Sequence, residues 1–178
     1  MKKTLYFDTS AILKEFVNEI GSDLISKITS TNTHDVQIIS SIWSINEAIS
    51  VIDRLTKKKD KNQKKVKLET SNLAISTVQL IISTFAGRIR ETNENSFFRF
   101  VYLDHAIITD SRVLIKDFHL SPNDAVHIFT GYVYDCNYFL VQDKNLIKEF
   151  PLKKYYNMKL IDLANEDDRI FLEKELNL

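Results

Sequence analysis

Short apolar runs alternate along the chain with segments in which apolar residues recur every three or four positions. Short continuous runs are typical of strands buried on both faces of a parallel sheet, whereas the wider spacing is typical of helices. Strands are predicted at Leu5–Phe7, Val36–Ile39, Ala106–Thr109 and Tyr138–Val141, with an edge strand at Leu160–Leu163. The pattern therefore predicts an α/β chain.

Helices are predicted in the intervals between these strands, and hydroxyl or glycine residues stand before several of them as caps. The predicted helices are Ser10–Phe16, a segment starting at Gly21, a segment after Ser41 with Ile42, Ile45, Ile49 and Ile52 on one face, Val66–Arg90, Asn95–Leu103, Asp110–Phe118 and Pro122–Tyr134. Strands separated by helices form parallel sheets that are covered on both faces. We therefore expect a three-layer α/β/α fold around a central parallel sheet.

Length and composition narrow the class of protein. A chain of 178 residues suits one domain that buries roughly 70% of its unfolded surface. Lys plus Arg equals Asp plus Glu at 24 each, so there is no overall charge that would attract nucleic acid or membranes. The single cysteine, Cys136, excludes an internal disulfide and a multi-cysteine zinc site. We expect a single domain over residues 1–178 that is soluble, cytoplasmic and without a membrane span.

One local charge run stands out between Arg54 and Lys67, which contains eight basic residues and one acid. It is predicted to be exposed and to belong to a basic helical insertion at about residues 54–90. Such a run can grip RNA phosphates, or it can be an ordinary solvated surface. The candidate RNA contacts are Lys57, Lys58, Lys59, Lys61, Lys64 and Lys65.

Four acids lie where a predicted strand ends or a predicted helix begins: Asp8, Glu47, Asp124 and Asp143. In open parallel sheets, ligands bind in the crevice beyond the carboxyl ends of the strands. Acids at two such ends therefore suggest one shared site. Carboxylate oxygens are the ligands that hard divalent cations prefer, so the candidate ligand is Mg²⁺ or Mn²⁺.

Each acid taken alone has a simpler structural interpretation. Asp8 can cap the helix that follows it, and Asp143 can be a turn residue. Asp124 lies three residues after Ser121, which is the spacing of a capping box. Glu47 falls away from the isoleucine face of its helix, as a solvated residue would. Only the joint arrangement favours a functional site.

Two further residues have an open interpretation. His127 lies three residues after Asp124 on one predicted helix and so could act as a general acid or a metal ligand. A partly buried polar residue is the simpler interpretation. Trp43 is predicted to pack in the core rather than to stack on a nucleic acid base.

The acids occur within short motifs that follow a definite order from about Leu5 to Phe150. The motifs are Phe7-Asp8-Thr9-Ser10 at the end of the first strand, Glu47 early on the helix after the second strand, Asp124-Ala125 at a helix start, and Val141-Gln142-Asp143 at a strand end. This set resembles the PIN-domain family of metal-dependent ribonucleases, particularly the VapC-type toxins. The chain departs from the family pattern at Val141, where Thr or Ser is frequent, and in its extra length between Arg54 and Arg90.

The resemblance implies a PIN-like fold and a Mg²⁺- or Mn²⁺-dependent endoribonuclease that is the toxin of a toxin-antitoxin pair. It implies that Asp8, Glu47, Asp124 and Asp143 are catalytic metal-site residues. Asp8 and Asp143 are assigned as direct ligands, with the other two binding directly, through water or at a second ion. The implied partners are RNA, an antitoxin protein and a second copy of the chain. The alternatives are a PIN-type nuclease of RNA processing and a non-catalytic PIN-like binding protein.

Overall fold

A parallel sheet of five strands lies at the centre of the protein. The computed structural model describes residues 2–30, 35–59, 76, 79, 83, 98–143, 146 and 156–178. The strands are β1 Lys3–Phe7, β2 Val36–Ser41, β3 Phe98–Val101, β4 Tyr138–Val141 and β5 Lys159–Asp162. Their order across the sheet is β3-β2-β1-β4-β5, and every neighbouring pair is parallel.

Helices cover both faces of this sheet. They are α1 Thr9–Leu13, α2 Ser22–Ser30, α3 Trp43–Lys59, α4 His105–Asp110, α5 Arg112–Phe118, α6 Pro122–Val133 and α7 Glu166–Leu176. The predicted three-layer α/β/α class with a central parallel sheet is therefore confirmed. Among the described residues, no helix is both long and apolar enough to cross a membrane.

The core is divided by the sheet into two apolar clusters, because successive side chains of a strand point to opposite faces. Leu5 and Phe7 of β1 join one cluster with α1, α2 and α7. Tyr6, between them, joins the other cluster with α5 and α6. Cys136 is a free, buried thiol in that second cluster.

The strand order reverses beside β1, which has β2 on one side and β4 on the other. Chain connections leave this point in opposite directions, so a crevice opens beyond the carboxyl ends of the two central strands. Pairing continues one residue past β1, since the Asp8 N–H donates to the Leu140 carbonyl at 3.2 Å. The fold thus places Asp8 at the edge of the crevice.

Two predicted elements are wrong. The helix predicted at Asn95–Leu103 contains strand β3 instead, and its aromatic residues pair in register with β2, Phe98 opposite Ile38. The strand predicted at Ala106–Thr109 lies within helix α4. Asp104 caps this helix by accepting a hydrogen bond from the Ile107 N–H at 2.8 Å. Aromatic strand composition and an Asp cap outweighed the spacing of apolar residues.

Most of the predicted basic insertion lies outside the described residues. Helix α3 includes the backbone of Lys57, Lys58 and Lys59. Lys61, Lys64 and Lys65 are not among the described residues, so the lysine–RNA contacts stay a prediction. Within the helix predicted at Val66–Arg90, the structure describes only three residues, and each is helical: Ser76, Gln79 and Ser83.

Candidate metal centre

A pocket of about 570 Å³ opens at the carboxyl edge of the sheet. Three of the four predicted acids line it: Asp8 from the junction of β1 and α1, Glu47 from α3, and Asp124 from the first turn of α6. His127, one turn further along α6, lines the same pocket. Side chains from three separate elements therefore meet at the position that the strand order favours.

Asp8 both caps a helix and faces the pocket. Its Oδ1 accepts a hydrogen bond from the Thr9 N–H at 2.6 Å, and its Oδ2 accepts one from the Ser10 hydroxyl at 3.0 Å. Ser10 Oγ also accepts from the Gln142 N–H at 2.9 Å, which joins the start of α1 to the end of β4. The side chain of Asp8 is only 17% exposed. The capping interpretation and the site interpretation thus hold together.

Glu47 is held by two hydrogen bonds that end on the same oxygen. Its Oε2 accepts from the Thr9 hydroxyl at 2.5 Å and lies 2.7 Å from His127 Nε2. The side chain is 19% exposed, so it is not the solvated residue that its place on the helical wheel suggested. Helix α3 turns this acid away from its isoleucine face and toward α1 and α6.

Asp124 belongs to a capping box, as its spacing from Ser121 predicts. The Ser121 hydroxyl oxygen accepts from the Asp124 N–H at 3.2 Å, and the hydroxyl donates to Asp124 Oδ2 at 2.7 Å. Pro122 stands at the first position of the helix, where a missing N–H costs nothing. The cap directs this half-buried carboxylate toward the pocket.

Asp143 differs from the other three acids. It follows β4 directly after Gln142 and is exposed. Its Oδ1 accepts from the Leu146 N–H at 3.3 Å. The described lining of the pocket does not include Asp143, although its charge contributes to raising the pKa of Asp124. Its assignment as a direct metal ligand stays a prediction.

His127 is the site residue to which sequence reasoning gave too little weight. It is 2% exposed, and its Nε2 lies 2.7 Å from Glu47 Oε2 and 3.9 Å from Asp8 Oδ1. Its Nδ1 lies 2.7 Å from the Tyr6 hydroxyl. The available signal was its position three residues after Asp124, because residues so spaced lie on neighbouring positions of one helix.

Burial and mutual repulsion raise the pKa of two acids. The pKa of Asp8 is raised by burial and further by the charge of Glu47, although His127 and the Ser10 hydroxyl act in the opposite direction. The pKa of Asp124 is raised by burial and by the charges of Asp8 and Asp143, despite the Ser121 hydrogen bond. A bound cation would relieve both effects.

The pKa values of Glu47 and His127 are shifted by each other. Burial alone would raise the pKa of Glu47, but the hydrogen bond and charge of His127 and the bond from Thr9 lower it below its ordinary value. Burial alone would lower the pKa of His127, but its hydrogen bond to Glu47 and the charge of Asp8 raise it. Of the three predicted acids in the pocket, Glu47 is therefore the one whose pKa is lowered, while the pKa values of Asp8 and Asp124 are raised.

These donor atoms are close enough for one ion. One oxygen of Asp8, one oxygen of Glu47 and one ring nitrogen of His127 all lie within 4.8 Å of one another. Asp124 supplies a further half-buried carboxylate in the same pocket. Three carboxylates suit Mg²⁺ or Mn²⁺, which prefer oxygen ligands and keep several waters.

The wall of the pocket carries groups of a different chemistry. Trp43 is 39% exposed, which shows that its predicted place in the core is wrong, and its indole N–H donates to Asn123 Oδ1 at 3.3 Å. Arg54 lines the pocket from the same helix. Trp43, Glu47 and Arg54 are four and seven residues apart, so they lie along one side of α3. An aromatic ring and a guanidinium thus flank the acidic floor.

Neither a protein-family model nor a curated protein matches this chain.

Proposed function

We propose that the protein is a Mg²⁺- or Mn²⁺-dependent endoribonuclease of the PIN type. The observation that carries this proposal is the convergence of Asp8, Glu47 and Asp124 in one pocket at the strand-order reversal. Helix capping accounts for Asp8 and Asp124 one at a time, but capping does not require that the two meet Glu47 in one pocket. Their repulsion is offset by binding a cation.

Phosphodiester hydrolysis needs an activated water and relief of the negative charge on phosphate. A divalent ion, when bound, lowers the pKa of its water and polarises the phosphoryl oxygen. Asp8 and Glu47 would hold the ion, and Asp124 would bind it directly or through a water. The hydrogen bonds from Thr9 and Ser10 keep the first two carboxylates oriented while substrate enters.

The wall of the pocket supports a single-stranded nucleic acid as substrate. Trp43 and Arg54 are eleven residues apart on α3, which corresponds to about 16 Å along the helix axis. An indole stacks on bases of any sequence, and a guanidinium pairs with phosphate. A strand lying along α3 would therefore place a base on Trp43, a phosphate on Arg54, and a phosphodiester over Glu47 between them.

The deciding experiment is a cleavage assay on the purified protein with single-stranded RNA. Cleavage is expected with Mn²⁺ or Mg²⁺ and not with EDTA, and Asp8→Asn should abolish it. Asp23→Asn, which changes an exposed acid on α2, is the matched control and should retain activity. Cleavage that persists in EDTA would refute the assignment. RNA binding without cleavage under every metal condition would instead favour a non-catalytic binding protein.

The substrate class is tested with Trp43→Ala. Loss of stacking on one base is expected to weaken single-stranded RNA binding by about 1–3 kcal/mol, or roughly 5- to 150-fold. Binding to double-stranded RNA should change little, because its bases are already stacked on each other. Equal effects on the two substrates would assign Trp43 to packing against Asn123 alone.

The toxin assignment, with an antitoxin partner, a homodimer and a cytoplasmic location, rests on the resemblance of the motifs to VapC-type proteins. Expression of the chain in a bacterial host should arrest growth and deplete intact RNA. The Asp8→Asn variant expressed at the same level should do neither. Normal growth with an active purified enzyme would favour the alternative, a PIN-type nuclease of RNA processing.

A further inference from the structure

Both ring nitrogens of His127 are engaged by protein groups. Nδ1 faces the Tyr6 hydroxyl, and Nε2 faces Glu47 Oε2, each at 2.7 Å. Asp8 Oδ1, at 3.9 Å from Nε2, is too far away for a hydrogen bond. The ring is therefore fixed between a tyrosine and a glutamate, although it also lies close enough to the acids to serve as a ligand.

The Glu47 carboxylate determines the direction of this chain of hydrogen bonds, because an ionised carboxylate only accepts and Nε2 must then carry the proton. The Ser41 N–H donates to the Tyr6 hydroxyl oxygen at 3.2 Å. With the proton on Nε2, the lone pair of the neutral ring lies on Nδ1, and the Tyr6 hydroxyl donates its own proton there. The doubly protonated ring would also carry a proton on Nε2. In both forms, Nε2 donates to Glu47 and has no lone pair for a metal.

Burial keeps this arrangement in place. Tyr6 is 0% exposed and His127 is 2% exposed, so water cannot easily replace either partner. Tyr6 also stacks on Phe139, with ring centroids 5.0 Å apart, which limits its movement. Turning Nε2 toward an ion would break the bond to Glu47 and leave a partly buried carboxylate oxygen with one partner fewer, which costs free energy.

We infer that His127 is a positioning residue and not a metal ligand: Tyr6 fixes its ring, the ring fixes Glu47, and the ion is held by carboxylate oxygens and water. The inference rests on the proposed function because it assumes the ion which that function requires. It separates two interpretations of the Asp8, Glu47 and His127 cluster. A site that uses the imidazole would suit softer ions, whereas an all-oxygen site selects hard ones.

The direct test is pulsed electron paramagnetic resonance on the wild-type protein loaded with Mn²⁺. An imidazole bound to Mn²⁺ gives a characteristic ¹⁴N coupling, and we expect this coupling to be absent. Detection of it would overturn the inference. The measurement requires no variant, so it does not depend on whether a substituted protein folds, and it requires no RNA cleavage.

Two substitutions at His127 give a second test through Mn²⁺ affinity. The amide nitrogen of His127→Gln can reach the place of Nε2 and donate to Glu47, but an amide nitrogen does not bind Mn²⁺. This variant should keep an affinity close to that of the wild type. His127→Leu removes the donor and should weaken binding by about 10–100-fold, the usual effect of losing an outer-shell partner. Equal losses in both variants, with melting curves showing that both are folded, would overturn the inference.

Tyr6→Phe removes only the hydroxyl that fixes the ring, so Mn²⁺ binding should weaken by less than in His127→Leu.

Failure of the positioning role of His127 and failure of the proposed nuclease function can be told apart. Mn²⁺ binding without ¹⁴N coupling, together with no cleavage of any RNA, would leave His127 as a positioning residue while the nuclease proposal fails. A wild-type protein that binds no Mn²⁺ would overturn both.

Discussion

The ends of β1 and β4 have the same design in sequence and different surroundings in the fold. Each strand is a buried apolar run that leads to an aspartate, Asp8 in one case and Asp143 in the other. Asp8 is 17% exposed, lines the pocket and lies 3.9 Å from the ring of His127. Asp143 is exposed and is not in the described lining of that pocket.

The difference shows that a strand-end acid acquires its chemistry from what packs over it. Helix α3 brings Glu47, and α6 brings Asp124 and His127, to the Asp8 end. Burial raises the pKa of the Asp8 carboxyl, and the charge of Glu47 raises it further, while His127 acts in the opposite direction. A position at the carboxyl end of a strand thus does not suffice to place an acid in this site.

The largest expected difference between the two ends is in catalysis. Asp8→Asn should remove a ligand of the ion and cost several kcal/mol of transition-state stabilisation, on the order of 1000-fold in rate. Asp143→Asn should cost much less. Initial rates of RNA cleavage at saturating Mn²⁺ provide the measurement. Equal losses of cleavage rate in the two variants would contradict this difference. Asp143 would then be a direct ligand of the ion, as its sequence position suggested.

The stabilisation of the fold by Mn²⁺ should also depend more on Asp8 than on Asp143. A hundredfold excess of Mn²⁺ over Kd should stabilise the wild type by about 2.7 kcal/mol, which corresponds to roughly 5–10 °C in Tm for a domain of this size. Asp8→Asn should melt higher than the wild type without metal, since repulsion is relieved, and should respond little to Mn²⁺. Asp143→Asn is the control that should still respond. A wild-type Tm that is indifferent to millimolar Mn²⁺ would contradict a repulsive metal cluster.

The pH dependence of stability sharpens the comparison within the pocket. Because folding raises the pKa of Asp8, this residue contributes stability below its unfolded pKa of about 3.9, and the contribution is lost as pH rises through the folded pKa. In metal-free buffer, the free energy of unfolding of Asp8→Asn should therefore rise relative to that of the wild type between pH 4 and 8. Urea unfolding at each pH provides the measurement.

Glu47→Gln is the control of opposite sign, because folding lowers the pKa of Glu47. Its charged form contributes stability above its unfolded pKa of about 4.3, and the contribution is lost as pH falls. The free energy of unfolding of this variant should therefore fall relative to that of the wild type as pH rises. The same trend in both variants would mean that the pKa shifts of Asp8 and Glu47 do not arise from their neighbours in the pocket.

The smallest expected effect concerns how RNA reaches the Asp8 end. Helix α3 lines the pocket there and ends at Lys59. If Lys57, Lys58, Lys59, Lys61, Lys64 and Lys65 contact phosphates, Gln at these positions should flatten the dependence of log K on log salt by roughly 0.7 per lost contact. Cleavage at saturating RNA should persist. An unchanged salt dependence would identify the run as a solvated or partner-binding surface.

The sequence predicted most of the strands and helices because, in those segments, the local sequence signals agree with the final fold. Strands β1, β2, β4 and β5 and helix α6 lie where apolar runs and the Ser121 cap indicated. The exchange of strand and helix between Asn95 and Thr109 was missed because apolar spacing was given more weight than aromatic content and the Asp104 cap. Both signals were present in the sequence.

The sequence by itself determined the parallel α/β order, the strand-end acids and the capping box at Asp124, since each depends on neighbours only a few residues away. Only the tertiary structure decided that Glu47 turns inward, that Asp143 remains exposed, and that His127 lies between Tyr6 and Glu47. Tyr6 and His127 are far apart in the chain, and no local pattern reports their contact. Burial, which fixes the ring of His127 and shifts the pKa of Asp8, is a property of the packed layers and not of any one segment.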